Sequence, residues 1–193
     1  MIVLVRHGRT AANASGLLLG RADPELDAEG QLQAARLAEV LSAERVARVV
    51  SSPLVRCRQT AAAVAGALGV PVEVDDRWIE LDYGELDGTA TSDIPAETWA
   101  KWMADVAWAP PGGESLAQLG ERVRMACDEL ARESEDVVVV SHVSPIKAAV
   151  AWALGVGDEV AWRLFLAPAS ITRVAAIGSR RSLHAFNQTA HLA

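Results

Sequence analysis

Residues 4–10 read LVRHGRT and continue an apolar run that begins at Ile2. The run from Ile2 to Val5 is short, apolar and rich in β-branched residues, which predicts a buried strand. The strand ends at an arginine, a histidine and a glycine, and open α/β sheets place their ligands at the carboxyl ends of strands. One histidine at a strand end is more often structural than functional, so its interpretation depends on the rest of the chain.

Strand and helix patterns alternate along the sequence. Further strands are predicted at residues 46–50, 70–74, 137–140, 170–177 and 182–187, and helices at about 28–43, 53–68, 93–108, 116–130 and 144–154. The four-valine run 137–140 predicts a central strand buried on both faces. The last two strands, joined by a turn at residues 178–181, predict an antiparallel element at one edge. The pattern predicts a three-layer α/β/α sandwich with a mostly parallel sheet, and residues 1–193 are expected to form one domain.

Local signals predict where several helices begin. Asp27 is placed to cap the helix at 28–43, and Ser52 with Pro53 predicts a capped helix start. Ser115 and Gln118 predict a capping box. Residues 9–26 are polar and glycine-rich, which predicts a loop, and loops that follow strands often carry functional residues.

Composition excludes several function classes. A formal charge of −7 argues against nucleic acid or an anionic membrane as a partner. Cys57 and Cys127 lack metal-ligand spacing and are expected to be reduced. The first strand begins without a basic leader, and no apolar run approaches the length of a membrane span, so we expect a cytoplasmic protein. A homodimer is kept as a candidate assembly.

Four basic residues are expected to meet at one edge of the sheet. Arg6 and His7 end the first strand, His142 follows the four-valine strand, and Arg56 lies just beyond another strand end. Guanidinium groups suit phosphate because their planar fork donates two parallel hydrogen bonds. The arginines would repel zinc, and no glycine-rich nucleotide motif is present, so neither a metal nor a cofactor is expected.

Six ordered motifs resemble the histidine phosphatase (phosphoglycerate mutase-like) superfamily. The matching segments, in chain order, are residues 4–10 with Asn13, 23–34, 51–61, 80–88, 111–115 and 141–142. They extend from residue 2 to about residue 155. A lone RHG signature would be weak evidence, whereas six motifs in the family's order are specific.

The resemblance implies a role for each matched residue. His7 would be the nucleophile that forms a phosphohistidine, a route that divides one hard displacement into two easier steps. Arg6, Arg56 and His142 would bind the oxygens on which transition-state charge is spread. The remaining phosphate- or substrate-binding candidates are Arg9, Thr10, Asn13 and the backbone amide of Val143.

The proton donor is less clearly marked. Glu80 is the candidate acid for the departing alkoxide and the later base for water, with Asp82 as its competitor. Two positions depart from the family pattern. Arg9 occupies a site where Glu or Gln is common and adds positive charge near the pocket mouth, and Val143 replaces a frequent glycine, which keeps the amide donor but narrows the site.

Three functions remain open from sequence. The first is hydrolysis of a small phosphorylated metabolite, and residues 141–147 and 187–189 resemble α-ribazole phosphatase-type members. The second is a phosphoglycerate mutase, which would need an insertion that the 61 residues between Glu80 and His142 leave little room for. The third is a non-catalytic phosphate-binding module. The tryptophans of residues 93–108 are interpreted equally as a substrate-covering lid or as core.

Overall fold

The structure, a computed structural model, describes residues 1–177 and 180–193. Its strands are β1 (Ile2–Arg6), β2 (Arg48–Ser51), β3 (Val72–Val74), β4 (Val137–Ser141), β5 (Ile171–Ile177) and β6 (Arg180–Gln188). Its α-helices are α1 (Ala11–Ala14), α2 (Ala28–Leu41), α3 (Val55–Leu68), α4 (Ala96–Ala104), α5 (Leu116–Leu130) and α6 (Val143–Leu154). Every predicted strand and helix has a counterpart, with ends displaced by no more than about four residues. The short α1 lies in the segment predicted as a loop.

The six strands form one sheet in the order β3-β2-β4-β1-β5-β6. The first four strands in that order are mutually parallel, whereas β5 runs antiparallel to β1 and β6 antiparallel to β5. Strand β4 lies between β2 and β1, so the prediction of a central four-valine strand is confirmed. The mostly parallel sheet with an antiparallel edge is also confirmed. The predicted turn at 178–181 includes residues 178 and 179, which lie outside the described residues.

Alternating side chains of the central strands feed two separate cores. Ile2 and Leu4 of β1 pack into a cluster with α5 and α6, and Val3 and Val5 pack into a second cluster with α2 and α3. The valines of β4 also alternate between the two clusters, and all four are buried. Because successive residues of a strand point to opposite faces, helices cover both sides of the sheet. The three-layer prediction is confirmed.

Two helices begin with the side-chain caps that the sequence predicts, and a third helix does not. Asp27 caps α2, and Ser115 forms the predicted capping box with Gln118 at the start of α5. Helix α3, in contrast, begins at Val55 with no side-chain cap. The prediction that Ser52 caps this helix is wrong, because the hydroxyl of Ser52 is engaged by a distant residue described below.

Within the described part of the chain, no helix combines the length and the apolar character that a membrane crossing demands. That residues 1–193 form one domain stays a prediction, as do the homodimer and the cytoplasmic location.

Candidate active site

The carboxyl ends of the parallel strands bring sequence-distant residues together. The amide of His7 donates to the carbonyl of Ser141 across 3.0 Å, and the amide of Ser52 donates to the carbonyl of Val140 across 3.0 Å. His142 follows β4 directly, and its ring centroid lies 5.1 Å from that of His7. The sheet therefore assembles the predicted histidine pair through backbone hydrogen bonds.

His7 is held in one tautomer. The ring is 3% exposed, and its Nδ1 lies 2.7 Å from the carbonyl oxygen of Gly8. A carbonyl can only accept, so Nδ1 carries the proton and the neutral ring keeps its lone pair on Nε2. Burial, and then the positive charges of Arg6 and Arg56, lower the pKa of His7 well below its ordinary value. The ring is neutral at physiological pH, as a nucleophile must be.

His142 is also a neutral, buried ring. The Nε of Arg56 donates to Nδ1 of His142 across 3.2 Å, so the ring proton lies on Nε2. That Nε2 lies 2.7 Å from the hydroxyl oxygen of Ser52 and donates a hydrogen bond to it. Burial and the nearby Arg56 lower the pKa of His142 well below its usual range. Ser52 therefore contacts the site, although the sequence around it predicts a helix cap.

Backbone carbonyls orient the guanidinium of Arg56. It is fully buried, and its Nη1 and Nη2 donate to the carbonyls of Ala22 and Gly20 across 2.7 and 2.8 Å. The nearest carboxylate oxygen, on Asp23, lies 4.0 Å from Nη1. With Nε on His142, three of the five N–H groups are used and two remain for another acceptor.

Arg6 is the second buried cation of the site. It is 9% exposed, and its Nη1 donates to the carbonyl of Leu166 across 2.6 Å. Burial lowers the pKa of Arg6 to about 10, against the opposing charge of Glu80. Among the described residues Arg6 forms no ion pair. Two buried guanidinium groups, with no carboxylate oxygen closer than 4.0 Å among the described residues, favour an anionic ligand. Arg6, His7, Arg56 and His142 are called the His7 cluster below.

Glu80 lies beside the His7 cluster at the start of α6. Its side chain is 3% exposed, and its carboxylate accepts from the amides of Leu81 (2.8 Å), Val143 (3.1 Å) and Ser144 (3.2 Å). The Val143 amide, predicted to bind phosphate, therefore contacts Glu80 in this structure. Asp82, the competing acid, has a side chain 37% exposed. The burial and position of Glu80 favour it over Asp82.

The residues predicted to bind substrate in the loop after His7 form contacts within the loop and with Asp27. Nε of Arg9 donates to the carboxylate of Asp27 across 2.8 Å, so this side chain is directed to the cap of α2. That contact does not support Arg9 as a charge at the pocket mouth, because Asp27 already neutralises it. The amide and hydroxyl of Thr10 donate to Oδ1 of Asn13 across 3.1 and 3.0 Å. Thr10 thus acts as a cap for α1, while the amide nitrogen of Asn13 has no partner among the described residues.

Glycine lets this loop contact the neighbouring helix directly. A Cβ placed on Gly8 would lie 2.4 Å from the carbonyl oxygen of Gly30 in α2, which no side chain could tolerate. The amide of Gly8 also donates to the hydroxyl of Thr60 in α3 across 3.1 Å. The carbonyl that fixes the tautomer of His7 is therefore anchored on two helices.

The tryptophans of residues 93–108 belong to the core and also form a wall. Trp102 is 1% exposed, and its ring lies 5.5 to 5.7 Å from those of Tyr83, Trp99, Trp108 and Trp162. Trp102 is therefore a core residue. Tyr83, Trp99, Trp102 and Trp162 also line a cavity next to Val143, which we call the aromatic cavity.

Cys57 touches the site without adding reactivity. Its Sγ lies 3.3 Å from Nε2 of His142, and burial raises the pKa of the thiol. Cys57 is thus a neutral thiol at neutral pH. Among the described residues, no group of three or more His, Cys, Asp or Glu side chains has the arrangement of a metal site.

Known proteins resemble this chain over its whole length. The bifunctional protein of Mycobacterium tuberculosis is 37% identical over 199 residues, an alignment that covers 99% of this chain and 54% of that protein. The chain thus spans about half the length of the first curated relatives it matches. Among solved structures, a mycobacterial glucosyl-3-phosphoglycerate phosphatase in complex with VO3 has a TM-score of 0.89 and 30% identity, covering 97% of this chain and 99% of that one.

A second solved structure bears on the resemblance noted from sequence. The α-ribazole phosphatase of Shigella flexneri has a TM-score of 0.86 and 25% identity, with 97% of this chain and 96% of that chain covered. The family model of the histidine phosphatase superfamily (branch 1) matches residues 2–189. The chain therefore belongs to the histidine phosphatase superfamily, as the six motifs predict.

Proposed function

We propose that this protein hydrolyses a small phosphomonoester through a phosphohistidine on His7. One observation carries the proposal: a buried, neutral His7 keeps its lone pair on Nε2 beside the two buried guanidinium groups of Arg6 and Arg56. A binding module would need the arginines but not a nucleophile with a fixed tautomer. The VO3 bound in the glucosyl-3-phosphoglycerate phosphatase structure supports an oxyanion site in this fold.

In the first step, Nε2 of His7 forms a bond to phosphorus while the ester P–O bond breaks. The departing alkoxide takes a proton from the carboxyl group of Glu80. The unused N–H groups of Arg6 and Arg56, with the free amide nitrogen of Asn13, bind the phosphoryl oxygens as their charge develops. The two guanidinium groups supply the positive charge that a metal supplies elsewhere, so we propose a metal-independent reaction.

In the second step, water attacks phosphorus and the N–P bond breaks. The proton of the water passes to the carboxylate of Glu80, which returns to its starting state, and inorganic phosphate leaves. Between the two steps the carboxylate of Glu80 accepts hydrogen bonds from the amides of Val143 and Ser144. His142 is proposed to bind a phosphoryl oxygen once substrate displaces one of its two ring contacts, which in this structure are to Ser52 and Arg56.

The substrate is proposed as a small phosphorylated metabolite of the kind that the similar phosphatases cleave, α-ribazole phosphate among them. Phosphoglycerate mutase activity is the second candidate, because a phosphohistidine can also pass its group to a hydroxyl. Only 61 residues separate Glu80 from His142, which favours water as the acceptor.

Trapping the intermediate tests the proposal. The protein is mixed with a ³²P-labelled monoester, denatured in alkali within milliseconds, and analysed for acid-labile, alkali-stable label. We expect label in the wild type and in a control variant of the exposed His184, His184→Ala, and none in His7→Ala. Steady-state release of phosphate should fall at least about a thousandfold in His7→Ala.

The same protein separates the alternatives. Equal phosphate release by wild type and His7→Ala would favour the non-catalytic module. Conversion of 3-phosphoglycerate to its 2-isomer in the presence of the bisphosphate, at a rate above hydrolysis, would favour the mutase. An unchanged rate in excess chelator is expected from a metal-independent enzyme, and loss of activity would contradict that part.

A further inference from the structure

Residues 20–22, which we call the Gly20 loop, lie between the His7 cluster and the carboxylate of Asp87. The amide of Gly20 donates to Oδ1 of Asp87 across 2.8 Å, and the amides of Arg21 and Ala22 donate to Oδ2 across 2.9 Å each. The carbonyls of Gly20 and Ala22 accept from the guanidinium of Arg56. The Gly20 loop therefore contacts Asp87 through its amides and Arg56 through its carbonyls.

The peptide unit that joins Gly20 to Arg21 contacts both partners at once. Its N–H donates to Asp87, and its C=O accepts from Nη2 of Arg56 across 2.8 Å. The peptide is trans, so its N–H and C=O point in opposite directions and the two partners lie on opposite sides of it. Hydrogen bonds in such a chain polarise one another, because an N–H that donates to a carboxylate makes the carbonyl of the same peptide a better acceptor. The negative charge of Asp87 therefore strengthens the contact that holds Arg56.

The backbone around Asp87 is itself held in place. Leu18 and residues 88–89 exchange two backbone hydrogen bonds of 2.8 Å, directly before the Gly20 loop. Three residues before Asp87, a Cβ placed on Gly84 would lie 2.1 Å from the carbonyl oxygen of Pro111, so the two backbones are in direct contact there. A carboxylate on a backbone fixed at both sides keeps the Gly20 loop in one position.

Asp87 affects Arg56 without pairing with it. Among the described residues, the carboxylate of Asp87 accepts only from the Gly20 loop. A carboxylate paired directly with Arg56 would compete with phosphate for its N–H groups, whereas contact through a peptide leaves two of them for an anion. Burial lowers the pKa of Arg56, and the negative charge of Asp87 is among those that oppose this lowering.

The chain of contacts continues to the second histidine. Nε of Arg56 donates to Nδ1 of His142 across 3.2 Å. A guanidinium is planar and rigid, so a shift of the Gly20 loop would displace all of its donated hydrogen bonds together, including the one to His142. The orientation of both phosphate-binding groups therefore depends on where the Gly20 loop lies.

We propose that Asp87 is a positioning residue: by accepting from the three amides of the Gly20 loop, it sets the orientation in which Arg56 presents its remaining N–H groups to the phosphoryl group. The proposal deepens the proposed function and rests on it, because Arg56 binds the phosphoryl group there.

Asp87→Asn tests the proposal. Asparagine has nearly the same shape but one accepting oxygen instead of two, so at least one amide of the Gly20 loop loses its acceptor. With a chromogenic phosphate ester, kcat/KM should fall about ten- to a hundredfold, since a hydrogen bond to a charged group has that value. An unchanged kcat/KM would overturn the proposal.

Asp105→Asn is the matched control. Asp105 is exposed, and its carboxylate also accepts from a loop amide, that of Ala107, across 2.8 Å. This variant removes a carboxylate from a loop in the same way but has no contact with the Gly20 loop, and it should retain the wild-type kcat/KM.

A double-mutant cycle with Arg56→Lys separates positioning from loop stability. If Asp87 acts through the guanidinium, Asp87→Asn should lower kcat/KM by less than about threefold in the Arg56→Lys background. An equal loss in both backgrounds would overturn the proposal, because Asp87 would then act independently of Arg56. If urea unfolding shows that Asp87→Asn is not folded at the assay temperature, Asp87→Glu takes its place. It keeps the charge and both oxygens, and its smaller loss should likewise disappear in the Arg56→Lys background.

Binding of inorganic phosphate separates this proposal from the proposed function, because it needs no turnover. Calorimetric titration should show about tenfold weaker binding in Asp87→Asn than in wild type, and no further weakening when Asp87→Asn is added to Arg56→Lys. If the wild type hydrolyses no ester but this coupling is present, the proposed function fails and the positioning role stands. If esters are hydrolysed and neither rates nor binding show the coupling, the positioning role fails alone.

Discussion

The His7 cluster and the aromatic cavity adjoin each other but are built differently. In the His7 cluster, strand ends and backbone carbonyls position each group, as the carbonyls of Gly8, Gly20 and Ala22 do for His7 and Arg56. In the aromatic cavity, side chains from separate segments pack against one another, with Trp102 at the centre. The comparison teaches that the backbone positions the groups of the His7 cluster, whereas the shape of the aromatic cavity depends on side-chain packing.

The two regions also differ in what burial does. Burying Arg6 and Arg56 with no carboxylate oxygen closer than 4.0 Å among the described residues is unfavourable for the folded chain and is tolerated at a functional site. Burying Trp102 among four aromatic rings is favourable. Substitutions in the His7 cluster should therefore change rates, and substitutions around Trp102 should change stability.

The largest effect is expected for Glu80→Gln, at the boundary between the two regions. For alkyl esters, whose leaving groups need a proton, kcat should fall about 10²–10⁴-fold. For aryl esters with acidic leaving groups the fall should be much smaller, and Asp82→Asn should change neither class strongly. Steady-state rates with a series of leaving groups measure this. An equal loss for both classes would identify Glu80 as a structural carboxylate.

Trp102→Ala should produce the largest loss of stability. Removing a buried indole leaves a void next to Tyr83 and Trp99, and comparable truncations reduce the free energy of unfolding by about 3–5 kcal/mol. Trp102→Phe keeps a ring and should lose less than half as much. Urea unfolding measures both variants. A loss below about 1 kcal/mol for the alanine variant would mean that the cavity walls are loosely packed and would weaken the contrast.

Arg56→Lys should lower kcat/KM by about a hundredfold. Lysine is a point charge and cannot donate at once to Gly20, Ala22 and His142 as the guanidinium does. Arg58→Lys, an exposed position on the same helix, is the matched control and should retain activity. A chromogenic phosphate ester is the assay. Comparable rates for both variants would show that charge alone suffices at this position.

The smallest effect concerns stability against pH. Burial, Arg6 and Arg56 lower the pKa of His7 in the folded chain, whereas in the unfolded chain it is about 6.5. Below pH 6.5 the unfolded chain binds a proton that the folded chain does not, so His7 lowers stability as pH falls, by up to about 1.4 kcal/mol per pH unit.

Urea unfolding between pH 7 and 5 measures this contribution. His7→Asn should lose less stability over the interval than wild type, because the variant has no histidine to protonate there. His184→Asn, at an exposed position of β6, should follow the wild-type slope. Parallel curves for wild type and His7→Asn would mean that His7 is protonated in the folded chain.

Much of the fold follows from local sequence patterns. The valine run 137–140 predicts a central strand, and the apolar run from Ile2 to Val5 predicts a buried one, because burial on both faces demands apolar residues throughout. The start of α3 could not be predicted from such local patterns. Ser52 has the composition of a helix cap, but its hydroxyl bonds His142, 90 residues away, and a tertiary partner of that kind leaves no local signal.

The candidate site likewise contains residues that could be predicted from the sequence and residues that could not. Arg6, His7, Arg56 and His142 could be predicted because each lies at a strand end or just beyond one, and parallel strands bring those ends together. Arg9 could not be placed, since its ion pair with Asp27 depends on how α2 packs against the loop. The aromatic cavity was not predictable at all, because its wall is formed by side chains from several elements that meet only in the fold.

The ring contacts of Trp102 also make this protein optically unusual. Four of its six tryptophans, at positions 99, 102, 108 and 162, lie in one network with centroid separations of 5.5 to 6.2 Å. Indoles this close couple electronically and transfer excitation to one another, so we expect an aromatic contribution to the circular dichroism of the chain. Tryptophan emission would therefore serve as a label-free reporter of a molecule that binds beside Trp162.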